Sequence, residues 1–257
     1  MTGSLRVIGV LRSCFREKFG TPRQPHLAPA ATASLSVSAE HVPAQSLVGL
    51  ERFSHLWLLS LFHLNTNKVY RPKIHPPRLQ GKTIGVFASR TPHRPSPVGL
   101  TLARLVRIEG DTLHLSGVDL VNGTPILDVK PYIPACDRPR RVRTGWVERC
   151  RVPLLKVGFT EEALADLRRE VPAVSRARVK RLIFQSLSHD PRNPRDGAQM
   201  REGKELRFFI LEYDVFFHIK AGESVVSRII RANDANHTRP PLPPGPRHPS
   251  PAWRPDA

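Results

Sequence analysis

Cysteine is nearly absent from this sequence. Cys14, Cys136 and Cys150 are the only three in 257 residues, odd in number and far apart. No CxxC pair occurs, which excludes a zinc knuckle and a disulfide framework and points to a reducing compartment. No two glycines stand one or two residues apart. The GxGxxG loop of dinucleotide-binding and Rossmann methyltransferase folds is therefore excluded. Gly81-Lys82-Thr83 imitates the end of a P-loop, but Pro76 stands where the first glycine belongs. The eleven histidines form no HExxH or HxH spacing. His55 and His63 read as structural groups in an apolar segment, and no metal is expected. The longest apolar run, Leu56 to Phe62, is too short to span a bilayer. The start of the chain lacks the apolar core of a signal peptide. A soluble protein, cytoplasmic or otherwise intracellular, with no membrane partner is the expectation. Acids are also scarce, 22 against 40 lysines and arginines, for a formal charge of +18. Such an excess favours a polyanionic partner, most often nucleic acid.

Proline is plentiful, with 26 residues, and it punctuates the most informative stretch, Gly85 to Leu100. Val86 to Ala88 reads as a short strand. Pro92, Pro95 and Pro97 then forbid helix and central strand, so Arg90, His93 and Arg94 sit on a stiff loop. Guanidiniums held that way lose little entropy on binding and suit a carboxylate or phosphate. Thr21-Pro22-Arg23-Gln24-Pro25-His26 and Asp190-Pro191-Arg192-Asn193-Pro194-Arg195 have the same chemistry.

Around these loops the pattern is short strands. Leu5 to Leu11 reads as the first, Ala33 to Val37 as a second. Phe53 to His63 is apolar on both faces and reads as a buried strand. Leu100 to Ile108 and Thr112 to Val118 form a hairpin. Asn122-Gly123 is the strongest hairpin signal and joins Val118–Val121 to Ile126–Val129. Strands at turn spacing over residues 5 to 133 argue a small barrel or sandwich. Asp137 to Arg151 is a basic, irregular linker. Thr160-Glu161-Glu162 then opens a helix, a hydroxyl cap followed by acids that complement the dipole, with Leu164 and Leu167 on its apolar face. Ser175 caps a second helix, with Val179, Leu182 and Ile183 on one face. Leu206–Ile219 and Val225–Ile230 form a closing hairpin of strands. The fold class is mainly β: a small β-barrel domain over residues 1–150, then a smaller α+β domain over 151–233. A proline-rich tail, 234–257, is expected to be disordered. Loops 21–26, 63–64, 90–100 and 119–123 all fall at strand ends, where one composite ligand site is expected.

At these residues the sequence resembles the tRNA adenosine N6-methyltransferase family once called YaeB or TsaA-like and now TrmO. The likeness rests on Glu17-Lys18-Phe19-Gly20-Thr21-Pro22-Arg23-Gln24-Pro25 and on Gly49-Leu50-Glu51-Arg52-Phe53-Ser54-His55-Leu56-Trp57. It continues through Pro76-Pro77-Arg78-Leu79, the central loop, Asp119-Leu120-Val121-Asn122-Gly123-Thr124-Pro125 and Asp128-Val129-Lys130-Pro131-Tyr132. It covers about residues 5 to 232. Ser96 and Val98 stand where the family usually has asparagine and isoleucine, and the stretch after 234 has no counterpart.

The resemblance implies a β-barrel domain, a C-terminal α+β domain, and a homodimer binding S-adenosylmethionine near the subunit interface. It implies methylation of N6 of threonylcarbamoyl-adenosine, at position 37 beside the anticodon of threonine tRNA. By motif, the cofactor would be held by Arg23, Gln24, Pro25, His63, Leu64, Arg90, Leu100, Leu120, Val121, Asn122 and Gly123. Arg94, Arg192 and the basic residues at 138–143 are candidates for tRNA phosphates. The N6 nitrogen is a weak nucleophile, so a general base helps. Asp119 and Asp128 are both eligible, and the base is left unassigned. Two rival readings are a non-catalytic basic RNA-binding module and a methyltransferase with a different acceptor.

Overall fold

The computed structural model describes residues 5–65, 70–76, 79, 82–149, 153–192 and 202–232. The first strands are β1 (Gly9–Ser13), β2 (Thr32–Val37) and β3 (His55–Leu61). They are followed by the short pair β4 (Lys73–Ile74) and β5 (Ile84–Gly85), then β6 (Val98–Glu109), β7 (Thr112–Ser116) and β8 (Thr124–Pro131). Six of them close into an antiparallel barrel in the order β1-β2-β7-β6-β3-β8. Closure leaves the barrel no open edge. The period-2 pattern sends Leu56 and Leu58 of β3, Ala103 and Leu105 of β6, and Leu113 and Leu115 of β7 into the interior. They meet Leu11, Leu35 and Ile126 there. The other face of β3 is half-buried, with Trp57 edge-on to Tyr132 at a centroid distance of 5.9 Å. The β6–β7 hairpin forms where the alternation placed it, with Gly110 at φ +58° in its turn.

Three local expectations differ. The first strand lies later, at Gly9–Ser13, with residues 5–8 outside it. Val86–Ala88 is a turn of 3-10 helix rather than a strand. The preceding Gly85 already pairs with Lys73, and Ser89 closes the turn by donating N–H to Val86 O. Asn122-Gly123 joins no hairpin, because residues 118–121 are not a strand and β8 pairs with β1 and β3.

After the barrel come α1 (Pro134–Asp137) and a 3-10 turn at Gly145–Arg149. Trp146 Nε1 donates to Ala88 O at 2.8 Å, so this basic segment is pinned to the central loop. Next are β9 (Lys156–Phe159), α2 (Glu161–Glu170), α3 (Ala173–Ser188), β10 (Glu205–Ile210), β11 (Tyr213–Lys220) and β12 (Glu223–Arg231). The sheet order is β10-β11-β12-β9, with β9 parallel to β12. Thr160 caps α2, its Oγ1 accepting from Ala163 N at 3.1 Å. The buried carboxylate of Asp166 accepts from Ile229 N at 3.1 Å and ties α2 to β12. α3 begins before Ser175: Pro172 is the N-cap residue, and Ser175 lies inside the first turn. Val179, Leu182 and Ile183 are buried as their spacing indicates. Leu206–Ile219 is two strands rather than one, folded back at Leu211, which takes φ +55°.

The barrel and the four-stranded sheet share one apolar core. Gly20, at φ +85°, lets the chain lie on Phe208; a Cβ there would stand 2.7 Å from the ring. Leu211 N donates to Cys14 O at 2.8 Å and Phe209 N to Glu17 Oε1 at 3.0 Å, so the loop after β1 is stitched to the sheet. The stretch 234–257, the motif residues Pro77 and Arg78, and Asn193 to Arg195 lie outside the described residues.

Candidate functional site

One end of the barrel opens into a cleft of about 510 Å³. Its walls are the loop after β1, the residues that follow β3, the proline loop before β6, the start of β6, and the segment between β7 and β8. Eight of the eleven residues named for the cofactor line it together: Arg23, Gln24, His63, Leu64, Arg90, Leu100, Leu120 and Val121. Segments as far apart as residues 23 and 121 meet here because barrel closure brings strand ends to one rim.

The proline loop is rigid in the way its composition dictates. Phe62 N donates to Pro97 O at 2.8 Å, and Asn65 Nδ2 to Pro92 O at 3.0 Å. Arg90 NH1 donates to Gln24 Oε1 at 2.8 Å, which couples two of the loops and aims the guanidinium. Arg23 NH2 donates to the carbonyls of Asp190 and Arg192 at 3.3 and 2.9 Å. Lys18, unremarked from the sequence as a site residue, also lines the cleft and donates to Leu64 O at 2.6 Å.

Pro25, Asn122 and Gly123 do not line the cleft. Asn122 Oδ1 accepts from Ser13 N at 3.0 Å, Asn122 N donates to Phe15 O at 2.6 Å, and Gly123 N to Leu11 O at 2.8 Å. This turn braces the end of β1 from behind. Gly123 sits under His63, where a Cβ would lie 4.0 Å from Nε2. Burial, opposed by a hydrogen bond to Leu61 O and reinforced by Lys18, lowers the pKa of His63 and keeps its ring neutral at pH 7.

Arg94 faces the cleft but is spent on structure. It donates to Ser89 O at 2.8 Å and stacks over Phe87, with 5.6 Å to the ring centroid. Arg192 pairs with Asp190 through bonds of 2.9 and 2.7 Å, and its side chain is 12% exposed.

Among the described residues, the sole acidic side chain in the cleft lining is that of Asp119. Thr101, inward-facing on β6, donates Oγ1 to Asp119 Oδ1 at 2.6 Å and fixes the carboxylate. Burial pushes its pKa up to about 6, against the hydrogen bond from Thr101 and the charge of Arg90. Asp128 lies elsewhere, on β8, partly exposed and paired with Lys130 at 2.9 Å. Between the two eligible carboxylates, only Asp119 stands in the cleft. Asn65 was missed by sequence reasoning. Its Oδ1 is buried in the cleft wall with no hydrogen-bond partner among the described residues. Among the described residues no group of three or more His, Cys, Asp or Glu could hold a metal, and no described helix is long and apolar enough to cross a membrane.

Cations on stiff loops, a seated carboxylate, an unmet acceptor and an apolar wall define a class. This is a basic β-barrel protein built to hold a small amphipathic molecule carrying both an anionic group and hydrogen-bond donors. Comparison with known proteins narrows the class. A family profile described as the tRNA-methyltransferase O N-terminal domain matches residues 10–138. A rat protein named tRNA (adenine(37)-N6)-methyltransferase is 49% identical over 145 residues, 55% of this chain and 34% of its own length. This chain thus spans about a third of the rat relative. A Pseudomonas aeruginosa protein, RcsF, named as a candidate S-adenosylmethionine-dependent methyltransferase, is 44% identical over 193 residues, 75% of this chain and 83% of its own. The crystal structure of TrmO from Pseudomonas aeruginosa superposes with a TM-score of 0.72 at 35% identity, covering 90% of this chain and 99% of that one. The chain belongs to the tRNA-methyltransferase O family.

Proposed function

We propose that this protein is an S-adenosylmethionine-dependent methyltransferase that modifies N6 of adenine 37 in tRNA. The observation that carries the reading is the composite cleft, in which Arg90 and the Thr101–Asp119 pair face one space. Its residues fit the cofactor. A carboxylate calls for a guanidinium, and Arg90, aimed by Gln24, offers one. The ammonium or the adenine amine calls for an acceptor, and Asn65 Oδ1 is an acceptor without a partner. Leu100, Leu120 and Val121 offer apolar surface to the adenosine end.

Bound S-adenosylmethionine supplies an electrophilic methyl group on a sulfonium. The part left to the chain is alignment of the acceptor and removal of one proton. Stiff loops and the closed barrel supply alignment. Asp119 accepts the N6 proton as the nitrogen gains its methyl group, and Thr101 keeps Oδ1 oriented throughout. A pKa near 6 suits a base that must be mostly ionised at neutral pH yet still take a proton. The neutral ring of His63 adds no charge to oppose the bound sulfonium.

The formal charge of +18 and the tRNA-methyltransferase name of the rat relative support tRNA as acceptor. The finer reading is threonylcarbamoyl-adenosine in threonine tRNA as substrate and a homodimer as the working form. The test is transfer of a radiolabelled methyl group from the cofactor to two tRNA transcripts, one carrying adenine at position 37 converted beforehand to threonylcarbamoyl-adenosine and one carrying guanine there. Label only in the adenine transcript is the expected result. Equal labelling of both, or of neither in the presence of bound cofactor, would overturn the acceptor assignment.

A further inference from the structure

Beside the cleft lies a second cavity of about 220 Å³. Lys18 and Arg23 belong to the wall it shares with the cleft, while Ser186, His189 and Asp190 come from the end of α3. Ser186 is 5% exposed, and its Oγ has no hydrogen-bond partner among the described residues. A serine inside a helix ordinarily returns its hydroxyl to a carbonyl one turn back. This one does not, and a buried hydroxyl left unpaired costs stability unless something else meets it.

The charge around it indicates what that is. Lys18 is anchored on Leu64 O and Arg23 on the carbonyls of Asp190 and Arg192, so both cations are held in place. Among the described residues, Asp190 is the one carboxylate in the wall, and two bonds from Arg192 engage it. A positive cavity with a hydroxyl donor suits an oxyanion. Because it shares a wall with the cleft, an oxyanion held here can belong to a molecule whose other end lies in the cleft.

We propose that this cavity is an oxyanion subsite for the acceptor, filled by an RNA phosphate or by a carboxylate carried on the acceptor base. Naming the acceptor rests on the methyltransferase reading, whereas the anion chemistry does not.

The experiment is an NMR titration of the full chain with inorganic phosphate and, separately, with N-acetylglycine, following His189 and Lys18 resonances. Saturable shifts are expected, about tenfold weaker in Ser186→Ala. That variant should melt at or above the wild-type temperature, since it removes an unpaired hydroxyl. Ser186→Val, which also fills space, should weaken binding further. Response to phosphate alone assigns the site to the RNA backbone; response to N-acetylglycine alone assigns it to a base-borne carboxylate. No saturable shift with either probe, or equal affinity in wild type and both folded variants, overturns the proposal. Anion binding in a preparation that transfers no methyl group would count against the methyltransferase reading and leave the subsite standing.

Discussion

Asp119→Asn should raise stability and destroy activity, a pairing that a merely structural carboxylate would not give. The substitution keeps an oxygen at Oδ1 for the hydroxyl of Thr101, now 2.6 Å from the carboxylate. It removes the charge that burial penalises. The Asp119 pKa moves from 3.8 to about 6 on folding, just over two units, or about 3 kcal/mol at 1.36 per unit. Water in the open cleft screens part of this, so a gain of about 1–2 kcal/mol at pH 7.5 is expected. The sign follows from linkage. A carboxyl whose pKa rises on folding binds its proton more tightly in the native state. It therefore stabilises the fold below pH 4, and that contribution is lost as pH rises through 6. The variant's advantage should accordingly be full at pH 7.5 and vanish near pH 4. Activity should fall about 10²-fold, the lower end of what a positioned base contributes. The wild-type rate should climb about tenfold per pH unit below 6 and level off above it. Denaturant unfolding at pH 7.5 and 4, with a pH–rate profile of methyl transfer, makes the check. A variant less stable at pH 7.5, or one of unchanged rate, would refute the role of Asp119 as base.

Three further outcomes follow from the same geometry. Arg90→Ala should weaken S-adenosylmethionine binding at least tenfold by titration calorimetry while leaving the melting temperature nearly unchanged, because Arg90 is exposed and donates to the side chain of Gln24; unchanged affinity would remove Arg90 from the cofactor site. Gly20→Ala should cost about 2–4 kcal/mol in denaturant unfolding, since a Cβ at φ +85° would stand 2.7 Å from Phe208; a cost under half a kcal/mol would contradict the close packing of loop on sheet. Asn122→Ala should cost about 1–3 kcal/mol, because it strips the acceptor from Ser13 N. It should also raise the cofactor Kd modestly, through the bracing of β1 and His63, and a loss of binding with no loss of stability would place Asn122 in direct contact instead.

Much of this was legible where side-chain period and caps act locally. The alternation of β6 and β7 and the glycine between them specify their hairpin. Thr160 followed by two acids specifies the start of α2. Two proline loops and the strand ends between them indicate which segments share the cleft. What misled was turn chemistry whose outcome is set by distant partners. Asn122-Gly123 would need positive φ at both residues to close a tight hairpin, and only Gly123 has it, at +84°. Asn122 is instead held by Ser13 and Phe15, more than a hundred residues away in sequence. The fold-back at Leu211 has no glycine or asparagine to announce it, and the tertiary bond from Leu211 N to Cys14 O holds it. The 3-10 turn at Val86–Ala88 begins where the β4–β5 pairing stops, at Gly85, and that end is set by a partner strand that no local pattern records. Asn65 and Lys18 escaped notice because their importance is relational: an unmet acceptor and a shared wall exist only once the barrel closes.

The central claim is that this cleft transfers a methyl group to the nitrogen of an anticodon-loop adenine. Incubation of threonine tRNA with the protein and cofactor bearing an isotopically labelled methyl group, followed by nucleoside mass spectrometry, tests it most directly. The account predicts one labelled methyl on N6 of the modified adenosine at position 37, formed about a hundredfold more slowly with Asp119→Asn. Label on another nucleoside or on a ring nitrogen, or equal labelling by that variant, would contradict it.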